Sequence, residues 1–566
     1  MNDSALAATV ATVALRPPTQ VMTLARMGAA HQTRLSFLRS LLRDLKHWRF
    51  SRPQWAIDGE GYGHAVYEAQ GPEHTYSLVC FSQPLAEGER TDRVIAEKWD
   101  TTYVLFDGVP DATEIARLAG NAPRQEAGRF GPRDLVLMRA NRSVRLFDRV
   151  VAALAAGTQP SPVEVESVGY LMRTTAVYGN GKFGIADRDV IADRPELRGP
   201  YRAEMLAVWL SRSFTIDLAE HIARSRAPEK AVALHPLLRR RIGVGNSTGL
   251  GMAPYLVKHP ALMHRWFLAR ETALARVRAV PAATLEQQVV MARAVGRASD
   301  AIASWQTDDA LQQQRTAGLR EDLLRLAGEL EAGALERPQP WDALYLWAER
   351  SLSLEGQEIT VSLLLEPHGP LVDDLANAMD ADEVATFAID GAMSLGGLVA
   401  AIDRDYLWAL APSYDDRTEQ ARFWYTSVEK LEPRLGERFE EPGGELEQPL
   451  GIGRDVARLR AALTGYPDAE TVGRFLMQHP EHRHAVRRVQ ISAAAPYAEI
   501  RENLLSARMR PIDIMRCKLA FFGATRFDPR SDRWVRVTFC QGAPFPEELE
   551  KRATDDWAWS SLEDRR

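Results

Sequence analysis

Cysteine is scarce in this chain: three in 566 residues, Cys80, Cys517 and Cys540, with no CxxC pair among them. Three thiols cannot build a disulfide framework, so a reducing compartment, the cytoplasm, is expected. A basic excess is also lacking. Lys and Arg number 70 against 76 Asp and Glu, for a net charge of -6. Gripping nucleic-acid phosphates takes such an excess, so no nucleic-acid partner is expected. Nor is there a run of about 18 apolar residues, the length a helix needs to cross a bilayer, and no membrane partner is expected. The apolar run at residues 5–15 has no basic flank, since Asp3 is the one charge before it. It reads as a frayed or docking tail and not as a secretory signal.

Several motifs are missing as well. There is no GxxxxGK[ST] P-loop, no dinucleotide fingerprint in a strand–turn–helix setting, no HExxH and no internal repeat. No metal is expected, and the cofactor stays unknown. His479, His482 and His484 cluster in sequence but read as solvated loop histidines.

What is present is ordinary globular material, 45% hydrophobic and 26% charged. The length implies roughly two or three packed units. Residues 31–48 read as a basic amphipathic helix with Leu35, Leu38, Leu41, Leu42 and Leu45 on one face, docked on its own domain. From Gln54 to about Gly108, short aromatic and β-branched segments between Gly and Pro turns predict an antiparallel sheet. Helical periodicity then runs from about Ala112 to Leu335, with helices over 139–156, 201–224, 285–305 and 316–331. Pro338 and Pro340 mark a boundary. Beyond it, 358–365 (EITVSLLL), 486–492 and 532–541 read as strands, 374–411 and 497–509 as helix, and 440–453 as an exposed loop or linker.

The expected fold class is α+β, with a mainly helical, bundle-like core and small antiparallel sheets near the N- and C-terminal parts. The expected units are residues 1–125, 126–338 and 339–566.

Two glycine-rich stretches attract attention. Residues 243–251 hold four glycines in nine positions, around Asn246, Ser247 and Thr248 and ahead of a helix expected to open at Pro254. Free backbone N–H groups at a helix start form an anion site. Residues 173–189 read as a helix carrying Thr174, Thr175 and Tyr178, capped at Gly179-Asn180-Gly181 and followed by Lys182. Arg202 and Glu204, just after Gly199-Pro200, join them as site candidates. Cys517, set between Arg516 and Lys518, would be a nucleophile if exposed and a buried, inert thiol otherwise.

Two short stretches resemble parts of a known enzyme family. Ser247, Met252-Ala253-Pro254, Lys258 and Pro260 are similar to the serine–Met-Pro–Lys–Pro signature loop of the fumarase/aspartase superfamily. Thr174-Thr175-Ala176-Val177 with Gly179 and Gly181 resembles its upstream Thr-Ala-Val-Gly-x-Gly segment. Members of that superfamily are helical lyases in which a loop serine removes a proton next to a carboxylate. The resemblance implies Ser247 as base and Lys258 as carboxylate anchor. Here Met252 and Pro254 are not adjacent, and extra residues separate them from the serine.

The expected function is that of a cytoplasmic enzyme acting on a small anionic metabolite, carboxylate or phosphate, by lyase-type proton abstraction and elimination. Arg202, Gly245, Asn246, Ser247, Thr248, Gly249, Lys258 and His259 would hold the anion. Tyr178, Lys182, Glu204 and Ser247 would move protons. Two alternatives stay open: a non-catalytic interaction or regulatory protein with a helical groove, and an oxidoreductase with a nucleotide cofactor. A homo-oligomer stays open too.

Overall fold

Segments rich in β-branched and aromatic residues, separated by tight turns, fold as a meander in which each strand pairs with the next. In the computed structural model of the chain, β1 (Arg49–Ile57), β2 (Gly63–Gln70), β3 (Thr75–Ser82), β4 (Thr101–Asp107), β5 (Asp134–Arg142) and β6 (Tyr170–Gly179) form such an antiparallel series. The structure describes residues 13–28, 31–86, 98–121, 131–179, 193–199, 201–246, 260–305, 307, 309–379, 388–414, 449–501, 516–529, 535–549 and 557. After β6 the sheet changes character. β7 (Gly243–Asn246) lies parallel to β6, and the hairpin of β8 (Ala524–Pro529) and β9 (Val535–Phe539) completes it. Nine strands result among the described residues, in the order β1-β2-β3-β4-β5-β6-β7-β9-β8.

This central mixed sheet overturns the expected fold class of a helical core with small antiparallel sheets near each end. The physical reason is non-local pairing. β7 is only Gly-Val-Gly-Asn, and Gly245 faces Arg173 on one side and Thr538 on the other. No local pattern announces partners so far away in sequence.

Helices cover both faces of the sheet. α1 (Phe37–Asp44) precedes β1, α2 (Ala112–Asn121) and α3 (Phe147–Ala155) lie between strands, and α4 (Arg202–Arg226) follows β6. On one face Phe214 of α4 meets the rings of Trp55, Tyr67 and Tyr103. On the other, Ile115 and Leu118 of α2 cover Val66, Val79, Phe81, Val104, Phe106 and Leu137. Each large apolar side chain so buried contributes roughly 1.5–3 kcal/mol. α1 is docked as its leucines require. Its buried Arg39 pairs both guanidinium nitrogens Nη1 and Nη2 with Glu366, and nearby Arg34 pairs with Asp373.

The chain then builds α5 (Pro260–Arg278), α6 (Leu285–Ala303), α7 (Ala310–Glu331), α8 (Pro340–Ser351) and α9 (Leu354–Leu364) beside the sheet. α10 (Leu395–Asp405), α11 (Pro449–Ala462), α12 (Val472–Gln478) and α13 (Arg483–Ala494) form a helical unit with its own core around Leu398, Ile402, Val456, Phe475 and Val489. No helix among the described residues is long and apolar enough to cross a membrane.

Six local expectations need correction. The span 139–156 is not one helix, because β5 claims Asp134–Arg142 and α3 starts only at Phe147. The stretch 173–179 is strand β6, as suits Thr-Thr-Ala-Val-Tyr, and not a capped helix. Of the stretch 358–365, residues 358–364 fall in helix α9 with Leu365 as its C-cap, and the N-cap Ser353 accepts the N–H of Gly356 at 3.1 Å. The stretch 486–492 falls in α13, where buried Val486 and Val489 have helical spacing. Pro449–Gly453, expected in a loop, begins α11. Of the helix expected over 497–509, residues 497–501 are not helical and the rest lies outside the described residues, as do most of the tail at 5–15 and the remainder of 440–453.

Candidate functional site

The parallel pair β6–β7 points both carboxyl ends to the same end of the sheet, where ligands of open α/β sheets commonly bind. β7 is held there tightly. A Cβ on Gly245 would come within 2.6 Å of the Tyr170 ring, and one on Gly243 within 2.3 Å of the Phe539 carbonyl oxygen. These two glycines are therefore explained by close packing before any ligand is invoked.

Asn246, the last residue of β7, is buried and its amide is oriented by both neighbours. Its Oδ1 accepts from Lys518 Nζ at 2.7 Å, and its Nδ2 donates to Thr174 Oγ1 at 3.2 Å. Thr174 Oγ1 in turn donates to the carbonyl of Gly245 at 3.1 Å. Lys518 is 0% exposed and opens a π-helical turn, Lys518–Phe522. Such turns are rare and recur at functional sites.

The turn carries the site toward α4. Phe522 lies 4.7 Å from the ring of Tyr201, which also stacks on Phe37 of α1 at 5.6 Å. Tyr201 takes φ 58°, a left-handed conformation that costs an aromatic residue roughly 1–3 kcal/mol and is held by this packing. It is the N-cap of α4, so Arg202 and Glu204 lie in the first helical turn. Glu204 is buried where the helix dipole favours a carboxylate. Just upstream, Arg194 pairs with Asp107 at the end of β4, and Glu196 meets Tyr76 at the start of β3. Both contacts lie at the sheet end where β6 finishes, so α4 starts at that end too.

Of the residues singled out from sequence, Gly245 and Asn246 lie in β7 opposite Arg173 and Thr174, in the first half of β6, and Glu204 lies in the first turn of α4. Arg202 is engaged elsewhere, in an ion pair with Asp44 at the end of α1. For Tyr178 only the backbone, in β6, is described. Lys182, Ser247, Thr248, Gly249, Lys258 and His259 lie outside the described residues, as does Pro254. The helical-lyase fold implied by the superfamily resemblance is not present, since Thr174–Gly179 forms a strand of a mixed sheet.

Lys518 and Tyr201 were not singled out as site residues. Lys518 did leave a signal, a lone lysine directly ahead of Leu519-Ala520-Phe521-Phe522. Tyr201 left none, because a left-handed backbone at a tyrosine has no sequence signature. Cys517 is buried and donates to the carbonyl of Met27 at 3.6 Å. Burial pushes its thiol pKa up, against the nearby arginines, which makes it a poor nucleophile. No cluster of His, Cys, Asp and Glu among the described residues is arranged to hold a metal. Compared with known proteins, the chain matches no family model, no curated protein and no solved structure.

Proposed function

We propose that the chain is an enzyme acting on a small anionic metabolite, carboxylate or phosphate, at the carboxyl end of β7, by lyase-type proton abstraction and elimination. The observation that carries this is the wholly buried Lys518, held on Asn246 at the end of the parallel pair by a π-helical turn. Taking an amine out of water is costly, and a fold retains such a group where its charge or its proton is used. In this reading Lys518 and the Asn246 amide attract the substrate anion. The carboxylate of Glu204, at the start of α4, accepts the proton removed next to it.

The test is a thermal-shift screen with carboxylates, phosphates and nucleotides on the wild-type protein, Lys518→Met and Asn246→Ala. A true ligand at a hundredfold excess over its dissociation constant stabilises by about 2.7 kcal/mol. Wild type should show that gain and both variants should lose it. The assignment fails if the variants respond as wild type does. Apo Lys518→Met should stay within about 1 kcal/mol of wild type, because relief of amine desolvation offsets the partner lost by Asn246.

A further inference from the structure

The segment from Arg16 to Gly28 has little structure of its own: a short helix at Pro18–Val21 and a 3-10 turn at Leu24–Arg26. Pieces that short do not persist alone, so their place is set by what they touch. At the start of the segment, buried Arg16 spreads its guanidinium between two carboxylates. Nε and Nη2 donate to Glu271 of α5 at 2.7 and 2.8 Å, and Nη1 donates to Glu358 of α9 at 2.8 Å. Arg26 reaches the same Glu358 at 2.6 Å and Gln357 at 2.9 Å. Arg270 closes the cluster against Glu271 at 2.9 Å and Glu358 at 3.3 Å.

Further along, the Arg16 carbonyl accepts from Tyr497 Oη at 2.7 Å, and the Met22 carbonyl accepts from the backbone N–H of Arg501. The end of the segment lies under the π-helical turn. Met27 accepts from Cys517, the residue before Lys518. Gly28 sits so close that a Cβ there would come within 2.9 Å of both the Arg516 carbonyl oxygen and Ala520 Cβ.

We infer that this segment is a latch that clamps the turn bearing Lys518, and that Arg16 is its releasable end. The charges single out Arg16. Among the described residues the buried cluster has three arginines, Arg16, Arg26 and Arg270, and two glutamates, Glu271 and Glu358, a surplus of one positive charge. Withdrawing Arg16 leaves Arg270 with Glu271 and Arg26 with Glu358, so no charge is stranded. Withdrawing either glutamate would strand buried guanidinium, which is the costly way to break such a cluster. Once Arg16 leaves, Arg26 is the segment's one remaining arginine in the cluster, and the support beneath the turn weakens. The turn's part in ligand binding rests on the proposed function; the clamp itself does not.

Hydrogen exchange of the full chain tests this with Arg16→Gln and with Gly28→Ala, which leaves the ion cluster untouched. In Arg16→Gln, amides of residues 16–28 and 516–523 should exchange at least tenfold faster while α5 and α9 keep their protection. In Gly28→Ala, residues 516–523 should quicken likewise, and this variant decides the matter if Arg16→Gln does not fold. Wild-type protection at 516–523 in either folded variant overturns the clamp. A wild-type protein that binds no carboxylate or phosphate, paired with coupled exchange in the variants, sinks the proposed function and supports the latch.

Discussion

A charged or titratable side chain inside an apolar run must be paired, used, or held in its neutral form. Lys518 was noticed in sequence only as a neighbour of Cys517, and the groups that surround it were hidden because Asn246 lies 272 residues away in sequence. His368 is an example of the neutral case. It is buried, its ring stands edge-on to Trp341 at 4.6 Å, and Nδ1 lies 3.4 Å from Gln287 Nε2 of α6. Burial first, and Arg34 second, push its pKa down from the ordinary 6.5 to about 4. In the unfolded chain the ring takes up its proton near pH 6.5, whereas the folded protein refuses it until about pH 4. Its contribution is therefore complete above pH 6.5 and is lost as the pH falls toward 4. That gap amounts to roughly 3 kcal/mol. His31, also depressed by burial, acts in the same direction, so the informative quantity is a difference between proteins. Denaturant titrations at pH 7.5 and 4.5 should show wild type losing about 3 kcal/mol more than His368→Gln over that interval. Equal losses would show that the ring is not what titrates.

At the scale of elements, the N-terminal strands were readable because turns and β-branched residues agree with one another there. Errors arose where tertiary contacts decide. Glu-Ile-Thr-Val-Ser-Leu-Leu-Leu has strand-forming residues, yet it folds as α9. Thr360 and Ser362 hydrogen-bond back to the carbonyls of Gly356 and Glu358, and the Glu358 carboxylate goes to three arginines. The glycines of β7 were noticed for their freedom, while their structural cause is closeness. Two glycine substitutions separate the two causes. Gly245→Ala drives a Cβ into the Tyr170 ring and should cost roughly 1–3 kcal/mol. Gly296, inside α6, has nothing within 4 Å of where its Cβ would stand. There the same substitution should raise stability by about 0.5–1 kcal/mol through helix propensity. Chemical denaturation of the pair gives both signs, and a neutral Gly245→Ala would mean that β7 has room to move away from β6.

At the scale of the whole molecule, the abundance of helix was legible, whereas the continuity of one sheet from residue 49 to residue 539 was not. Order along the chain does not say which strands meet. Nor did sequence separate the helical unit of α10–α13, whose core side chains pack on one another and not on the sheet. Its ties to the rest include the N–H of Tyr497 on His264 Nδ1 at 3.1 Å, the Tyr497 hydroxyl on Arg16, and the backbone of Arg501 on Met22. A separate core is expected to give the unit a cooperativity of its own, so it should unfold in a separate step. Phe475 is the place to test this, since it is fully buried among Tyr466, His479 and His482 within that unit. Truncating such a ring costs about 3–5 kcal/mol. Phe475→Ala should then lower one calorimetric transition by roughly 10 °C or more, and the transition of the sheet-bearing core should stay in place. If both move together, the ties through Tyr497 and Arg501 are strong enough to make one cooperative block. Local loosening at the Arg16 end would in that case be felt in α10–α13 as well as at the turn of Lys518.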